Sequence, residues 1–477
     1  MRLGGIRVVP YRRERDLLGD KEVPNDVYYG IQTVRALDNF PITGYKPHRE
    51  LILGLAHVKK AAAQANIEVK RLNPKIGKAI VAACEEILQG KLVDQFVVDV
   101  IQGGAGTSIN MNANEVIANR AIELLGGNKG EYILVSPNTH VNMAQSTNDA
   151  FPTAIKIASL TLARSLTQAL KGLGQALQDK EQEFDGIIKM GRTHLQDAVP
   201  IRLGQEFGAW ANAIRRDIAR IGAAAQGLQN ISMGATAVGT GLNADEDYIQ
   251  HVTKILVDNT ELPLEQTNNM VDATQNADVY VALSSSLKIC AVNLSKMAND
   301  LRLLASGPRC GLNEINLPAA QPGSSIMPGK VNPVMAEVVN QVAFQVMGND
   351  ATVAMAAEAG QLELNVMEPV MVFNLLQSLD ILRNVVEVFT KKCVMGITAN
   401  VQRCRQMVEQ SVGIITAINP HVGYETATLV AKEAITTGRP IREIVLERGI
   451  LAEEELDIIL NPQEMTKPGI AGADLLK

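Results

Sequence analysis

Aromatic residues are scarce in this chain: Phe, Trp and Tyr together make up 4% of its 477 residues. A core of stacked rings is excluded, and the plentiful Ala, Leu, Val and Ile suit long helices packed through small and branched aliphatic side chains. No stretch approaches the ~20 apolar residues of a membrane span, so no membrane partner is expected. The apolar run within Met1–Pro10 is too short for a secretory leader. Lys/Arg blocks and basic–aromatic stripes are absent and the net charge is −6, which argues against nucleic acid as a partner. Cys84, Cys290, Cys310, Cys393 and Cys404 form no C-x-x-C pair and are odd in number. They read as free thiols of a reducing compartment, so a soluble cytoplasmic protein is expected. No His, Cys or Asp cluster has metal-ligand spacing, and no metal is expected.

What the chain has instead is helical periodicity over long stretches. Residues 1–50 read as irregular, punctuated by Gly, Pro and Tyr, and helical patterns begin at Leu51 and again at Pro74. The turn Gln102-Gly103-Gly104-Ala105-Gly106-Thr107-Ser108 leads into a third helical run, Asn110 to Leu125, which Thr107 or Ser108 is placed to cap. Pro152 fits the first turn of the next helix, where Ile155, Leu162, Leu166, Leu170, Leu173 and Leu177 recur as one buried stripe. Four further long runs lie at about 202–230, 272–306, 334–358 and 364–394. Five such helices predict an all-α fold with an elongated five-helix bundle whose outer side is buried in a homo-oligomer. After Gly396 the segments shorten: a loop from Ile414 to Gly423, helices at Tyr424–Thr437 and Ile441–Gly449, and another opening at Ala452. The expected division is therefore 1–146, mainly helical; 147–397, the long-helix bundle; and 398–477, a small helical C-terminal domain.

The chemistry concentrates in polar connectors. Gly323-Ser324-Ser325-Ile326-Met327-Pro328-Gly329-Lys330-Val331-Asn332-Pro333-Val334 has glycines that free its backbone and prolines that keep it from becoming helix. A Gly-bounded loop carrying hydroxyls, an ammonium and a carboxamide suits an active-site lid. Gly103–Ser108, Ser146-Thr147-Asn148 and Thr193-His194 share that polar character. Together these groups suit a small ligand bearing carboxylates. Residues 239–244 match G-x-G-x-x-A, but no predicted strand precedes them, so the dinucleotide reading fails. A G-x-S-x-G elbow is also missing. An enzyme of this composition must work by acid–base chemistry and electrostatic stabilisation without a cofactor. A helix of thirty residues spans ~45 Å, so loops at its opposite ends cannot meet within one chain, and sites shared between subunits are expected.

Taken in order, the loop 323–333, Gly103–Ser108, Ser146-Thr147-Asn148-Asp149, Gly191-Arg192-Thr193-His194-Leu195-Gln196-Asp197 and Gly239-Thr240-Gly241-Leu242-Asn243 resemble the signatures of the fumarase/aspartase superfamily, along nearly the whole chain. Within it, Lys129-Gly130-Glu131-Tyr132, Ser146–Ala150, Gln196-Asp197-Ala198-Val199-Pro200 and 357–369 are most similar to the aspartase branch. The resemblance implies a three-domain fold and a homotetramer with a twenty-helix core and sites each built from three subunits. It also implies a carbon–nitrogen lyase that reversibly deaminates L-aspartate to fumarate and ammonia without a cofactor. On the matching positions Ser324 would be the general base. Thr107, Ser146, Thr147 and Ser325 would surround the β-carboxylate, Lys330 and Asn332 would hold the α-carboxylate, and Asn148, Thr193 and His194 would lie nearer the amino group. Some aspartases have Gln where this chain has His194, whereas fumarases have a catalytic His there. The rivals are therefore a class II fumarate hydratase and, from another class, a non-catalytic helical scaffold.

Overall fold

The computed structural model describes residues 10–476, so the reading of Met1–Pro10 falls almost wholly outside the described range. The described residues open with a hairpin of β1 (Tyr11–Asp16) and β2 (Gly19–Pro24), followed by α1 (Ile31–Asn39), α2 (Arg49–Glu68), α3 (Pro74–Leu88) and α4 (Thr107–Leu124). Next come the 37-residue α5 (Thr147–Glu183), a second hairpin of β3 (Ile188–Thr193) and β4 (Gln196–Arg202), and α6 (Leu203–Gln226). The two-residue strands β5 (Asn230–Ile231) and β6 (Glu265–Gln266) flank α7 (Glu246–Thr260). Then follow α8 (Met270–Gln275) and α9 (Asp278–Leu304). Beyond β7 (Ile315–Asn316) run α10 (Val334–Glu358) and α11 (Glu368–Lys392). The last elements are β8 (Thr398–Ala399), α12 (Val401–Gln410), α13 (Ile415–Val422), α14 (Tyr424–Thr437), α15 (Ile441–Glu447), α16 (Glu453–Ile459) and the four-residue α17 (Pro462–Met465). The fold is mostly helical, as expected, and the five long runs are α5, α6, α9, α10 and α11. No helix among the described residues is long and apolar enough to cross a membrane.

Five local expectations are corrected. Residues 10–50 are not irregular, since they hold β1, β2 and α1. α5 starts at Thr147, so Pro152 lies at its sixth residue rather than in the first turn. The connector after α5 is a strand hairpin, not a loop. Ile414–Gly423 is mostly the helix α13, with Pro420 inside it. The predicted run 272–306 is also broken, by the extended Asn276 between α8 and α9.

The chain divides into two compact units. The first comprises residues up to 168, 219–291 and 344–383, and the second 169–218, 292–343 and 384 onward. The boundary falls inside each of the five long helices. In the first unit the helices meet through small side chains: Ala61, Ala62 and Ala65 of α2, Ala83 and Cys84 of α3, and Ala113 and Ala118 of α4 are fully buried. A Cβ on Gly54 of α2 would sit 2.6 Å from the Ala154 carbonyl oxygen of α5, so only glycine permits that approach. In the second unit Phe184, Phe207 and Trp210 pack edge to face, with centroids 5.2 and 4.9 Å apart. A further apolar cluster there joins Ile414, Ile418, Val430, Ile441, Ile444 and Leu456 to Met190 of β3, which seats the second hairpin on the C-terminal helices. The α5 stripe is buried as its spacing predicts: Ile155, Leu166, Leu170, Leu173 and Leu177 are at most 1% exposed.

Candidate active site

In the first unit the turn before α4 carries three consecutive left-handed residues: Gly104 at φ 92°, Ala105 at 54° and Gly106 at 88°. Gly106 is the N-cap, and no side chain caps the helix there. The expected Thr107 or Ser108 cap is thus corrected. Thr107 is the first helical residue, and its hydroxyl donates backward to the Gly104 carbonyl at 2.7 Å. The Ile109 amide is taken instead by Gln102 Oε1 at 3.0 Å. A Cβ on Gly106 would lie 2.3 Å from the Phe151 ring, so glycine is required both by its φ and by the approach of α5.

Ser146 caps α5. Its Oγ accepts the Asn148 amide at 3.2 Å, and its own amide donates to Asp149 Oδ1 at 2.9 Å, a reciprocal cap with Asp in place of the usual Glu. The Thr147 hydroxyl accepts from Asn110 Nδ2 in the first turn of α4 at 3.0 Å. Asn148 Nδ2 donates to the Ala237 carbonyl at 2.7 Å. Thr107, Ser146, Thr147 and Asn148 are therefore brought into one set of bonded segments. Asp149 is the residue that sequence reasoning quoted without a role. It is fully buried, and its Oδ2 accepts the amides of Gly234 and Thr236 at 3.1 and 3.0 Å, so one carboxylate ties the α5 start to the 234–239 turn. Beneath it lies the buried Lys59, whose Nζ donates to Asn142 Oδ1 and Gln145 Oε1, both at 2.9 Å.

Burial pushes the Asp149 carboxyl up from its ordinary 3.8 to about 6, against the pull of three backbone amides and the Lys59 charge. Burial likewise draws the Lys59 ammonium down from 10.5 to about 7. Between pH 3.8 and about 6 the folded chain keeps a proton on Asp149 that the unfolded chain has released. Its contribution to stability is therefore greatest below that window and falls as pH rises through it. The substitution Asp149→Asn should flatten this slope. Urea unfolding at intervals between pH 4 and 7 checks it, and an unchanged slope in the variant contradicts the assignment.

The second unit holds Ser324, Ser325, Lys330 and Asn332 on one loop, and Thr193 and His194 on the β3–β4 hairpin. The loop is cinched at its root. The Gly323 amide donates to the Lys330 carbonyl at 2.8 Å, and Asn332 Nδ2 donates to the Gly323 carbonyl at 2.7 Å. A Cβ on Gly323 would fall 2.6 Å from that Lys330 oxygen. Inside the loop, Ser324 Oγ accepts the amides of Ile326 at 3.2 Å and Met327 at 3.1 Å. Two donors on one hydroxyl oxygen favour its ionised form, as in an oxyanion hole. Ser325 and Lys330 are exposed, while Ser324 and Asn332 are half-buried.

Thr193 pairs with Gln196 across a two-residue turn, His194 at φ 54° and Leu195 at φ 61°. Such turns ordinarily carry Asn-Gly or Asp-Gly, because both residues need the left-handed region. A His-Leu pair there stores roughly 1–3 kcal/mol of strain per residue, which the fold must hold in place. All six candidates of this unit thus sit on two anchored segments, with Thr193, His194, Ser325 and Lys330 facing solvent.

A family described as Lyase matches residues 19–348, and one described as Fumarase C C-terminus matches residues 414–467. The aspartate ammonia-lyase of Bacillus subtilis (strain 168) is 64% identical over 467 residues, 98% of each chain. That of Escherichia coli (strain K12) is 50% identical over 460 residues, 96% of each. Among solved structures, a fumarate lyase:delta crystallin from Brucella melitensis bound to cobalt is similar with TM-score 0.93 and 49% identity, covering 96% of this chain and 100% of that one. A class II fumarase from Schistosoma mansoni is similar with TM-score 0.92 and 36% identity, at the same coverage.

Proposed function

The chain belongs to the lyase family of the fumarase/aspartase superfamily, and from that premise we infer that it is a carbon–nitrogen lyase that reversibly deaminates L-aspartate to fumarate and ammonia. The observation that carries the choice of aspartate is the identity of 50–64%, over nearly the full length, to aspartate ammonia-lyases.

In the proposed mechanism Ser324 is the base. A serine hydroxyl is a weak base until its alkoxide is stabilised, and the Ile326 and Met327 amides on Oγ supply that stabilisation. The alkoxide takes a proton from C3 of aspartate. The C–H electron pair moves into the neighbouring carboxylate to form an aci-carboxylate dianion, which Thr107, Ser146, Thr147 and Ser325 would hold. Collapse of the dianion forms the C2–C3 double bond as the C2–N bond breaks and the amine leaves with its electron pair. Lys330 and Asn332 would bind the α-carboxylate, with Asn148, Thr193 and His194 toward the amino group. None of these steps calls on a cofactor.

If Lys330 binds rather than reacts, Lys330→Ala removes one charge-assisted contact worth roughly 1.5–3 kcal/mol. KM for aspartate should rise about 10–100-fold, with kcat changing far less. Steady-state kinetics decide, and an unaltered KM with a lost kcat contradicts the assignment.

The proposal extends to a homotetramer with each site built from three subunits. The exposed apolar side chains Phe344 and Met355 of α10 (62% and 71% exposed) and Val292 of α9 support it, because a lone long helix rarely presents such groups to water. The three-part division at 146/147 and 397/398 is proposed with it. A cytoplasmic location is proposed from the five free cysteines. His194 is compatible with a fumarate hydratase, so the deciding experiment supplies aspartate or malate and follows fumarate by its ultraviolet absorbance. Fumarate from aspartate is expected, and turnover of malate without turnover of aspartate overturns the reading. A protein inert to both would be the helical scaffold.

A further inference from the structure

The strained turn that carries Thr193 and His194 is exposed at its tip, yet the residue before it is fastened into a buried ionic cluster. Arg192 Nη1 donates to Glu314 Oε1 at 2.8 Å, and Lys189 Nζ, in the same strand, lies 3.2 Å from Glu314 Oε2. Lys189 also donates to Glu206 Oε1 at 2.9 Å. The Glu314 side chain is 0% exposed, that of Lys189 2%, that of Arg192 13% and that of Glu206 23%, so two cations and two carboxylates balance around a fully buried Glu314. Glu314 is itself held by its backbone. It stands directly before β7, which pairs with β8, and its carbonyl accepts the Asn400 amide at 2.9 Å. Burial raises the neighbouring Glu206 carboxyl, while the Lys189 ammonium beside it pulls the other way.

Buried ion pairs of this kind are weak sources of net stability against an apolar packing of the same volume, so their value must be sought in the geometry they fix. The geometry here is specific. A guanidinium can reach a fixed carboxylate only with its own strand in one register, and Thr193 is the next residue along that strand. We propose that Glu314, acting through Arg192 and assisted by Lys189, is a positioning residue that holds the Thr193–His194 turn in its left-handed conformation and so aims both side chains at the substrate. This rests on the reading of that turn as the amino-group side of the site.

The test is a double-mutant cycle on kcat/KM for L-aspartate, with Arg192→Lys measured in the native enzyme and in Thr193→Ala. Arg192→Lys keeps the charge but loses the planar fork. Its expected cost in the native background is about 10-fold or more, since a misplacement near 1 Å can lower rates by roughly 100-fold. Most of that loss should fall on KM, with the far-ultraviolet circular dichroism and melting temperature retained. In the Thr193→Ala background the same change should cost at least about 3-fold less than in the native enzyme, because one of the two groups it positions is already gone. Glu314→Gln, which keeps shape and one acceptor, is run through the same cycle as an independent second variant. Equal costs in both backgrounds, or a native-like Arg192→Lys enzyme, overturn the proposal alone. A Thr193→Ala enzyme with unaltered kinetics overturns the assignment of the turn, and this proposal with it. Failure of both Arg192→Lys and Glu314→Gln to fold also overturns it, since the cluster would then be a stability element.

Discussion

Ser324→Ala is expected to lower kcat for L-aspartate on the order of 1000-fold or more, the upper part of the range for removing a general base, with KM and oligomeric state unchanged. The structure makes this a clean experiment. Ser324 Oγ only accepts bonds, from the Ile326 and Met327 amides, and those two residues are exposed on the loop. Alanine would return both amides to water, a surface change ordinarily worth within about 0.5 kcal/mol. The root of the loop does not involve the hydroxyl at all, because it is closed by Gly323 to Lys330 and by Asn332 to Gly323. Lost turnover in a variant with native melting behaviour would therefore be a loss of chemistry, not of architecture. Retention of most of the activity would remove Ser324 from the role of base, and the two amides would then be only a local turn.

How far the sequence announced this arrangement depends on whether the stabilising contact is local. Val334–Glu358 and Tyr424–Thr437 match their expected bounds because proline or glycine stands at the edges: Pro333 before the first, and Gly423 and Gly438, at φ 80° and 71°, around the second. The β3–β4 hairpin was illegible because its turn is His-Leu where chemistry favours Asn-Gly, and tertiary anchoring outweighs that preference. β1, with the sequence Tyr-Arg-Arg-Glu-Arg-Asp, carries no apolar alternation. It is held instead by Glu14, buried on one face, whose carboxylate takes Arg12 at 2.7 Å and the Ile31 amide at 2.8 Å. In the site, the Ser-x-x-Asp spacing of Ser146 and Asp149 was a readable cap signal. The second set of bonds made by Asp149, to Gly234 and Thr236, was not, because they lie 85 and 87 residues away in sequence. Glu314 is farther still from its partner, 122 residues from Arg192, and an isolated acid in a short connector gives no sign of it.

Asp149→Ala is expected to lower kcat/KM by roughly 100-fold, the size of effect that follows from misplacing reacting groups by about 1 Å, and to destabilise the chain by about 3–5 kcal/mol. The carboxylate joins two segments of the site. One oxygen fixes the Ser146 amide, hence the cap from which Ser146, Thr147 and Asn148 project; the other fixes the 234–239 turn through Gly234 and Thr236. That turn in turn receives Asn148 Nδ2 at Ala237, so the two segments are joined twice around a closed circuit. Alanine opens the circuit and leaves three amides without their acceptor in a buried setting, each at a cost of roughly 1–3 kcal/mol unless the segments part to admit water. It also strips Lys59 of the one carboxylate that favours its charged form, leaving the ammonium with the neutral oxygens of Asn142 and Gln145. Asp149→Asn separates the two effects. It keeps the volume and one acceptor oxygen while its NH2 faces amide donors, so it should retain more stability than alanine yet still misplace Asn148. Urea unfolding and kcat/KM on both variants check this. A stable alanine variant with native kcat/KM would show that the site residues of this unit hold their places without the carboxylate.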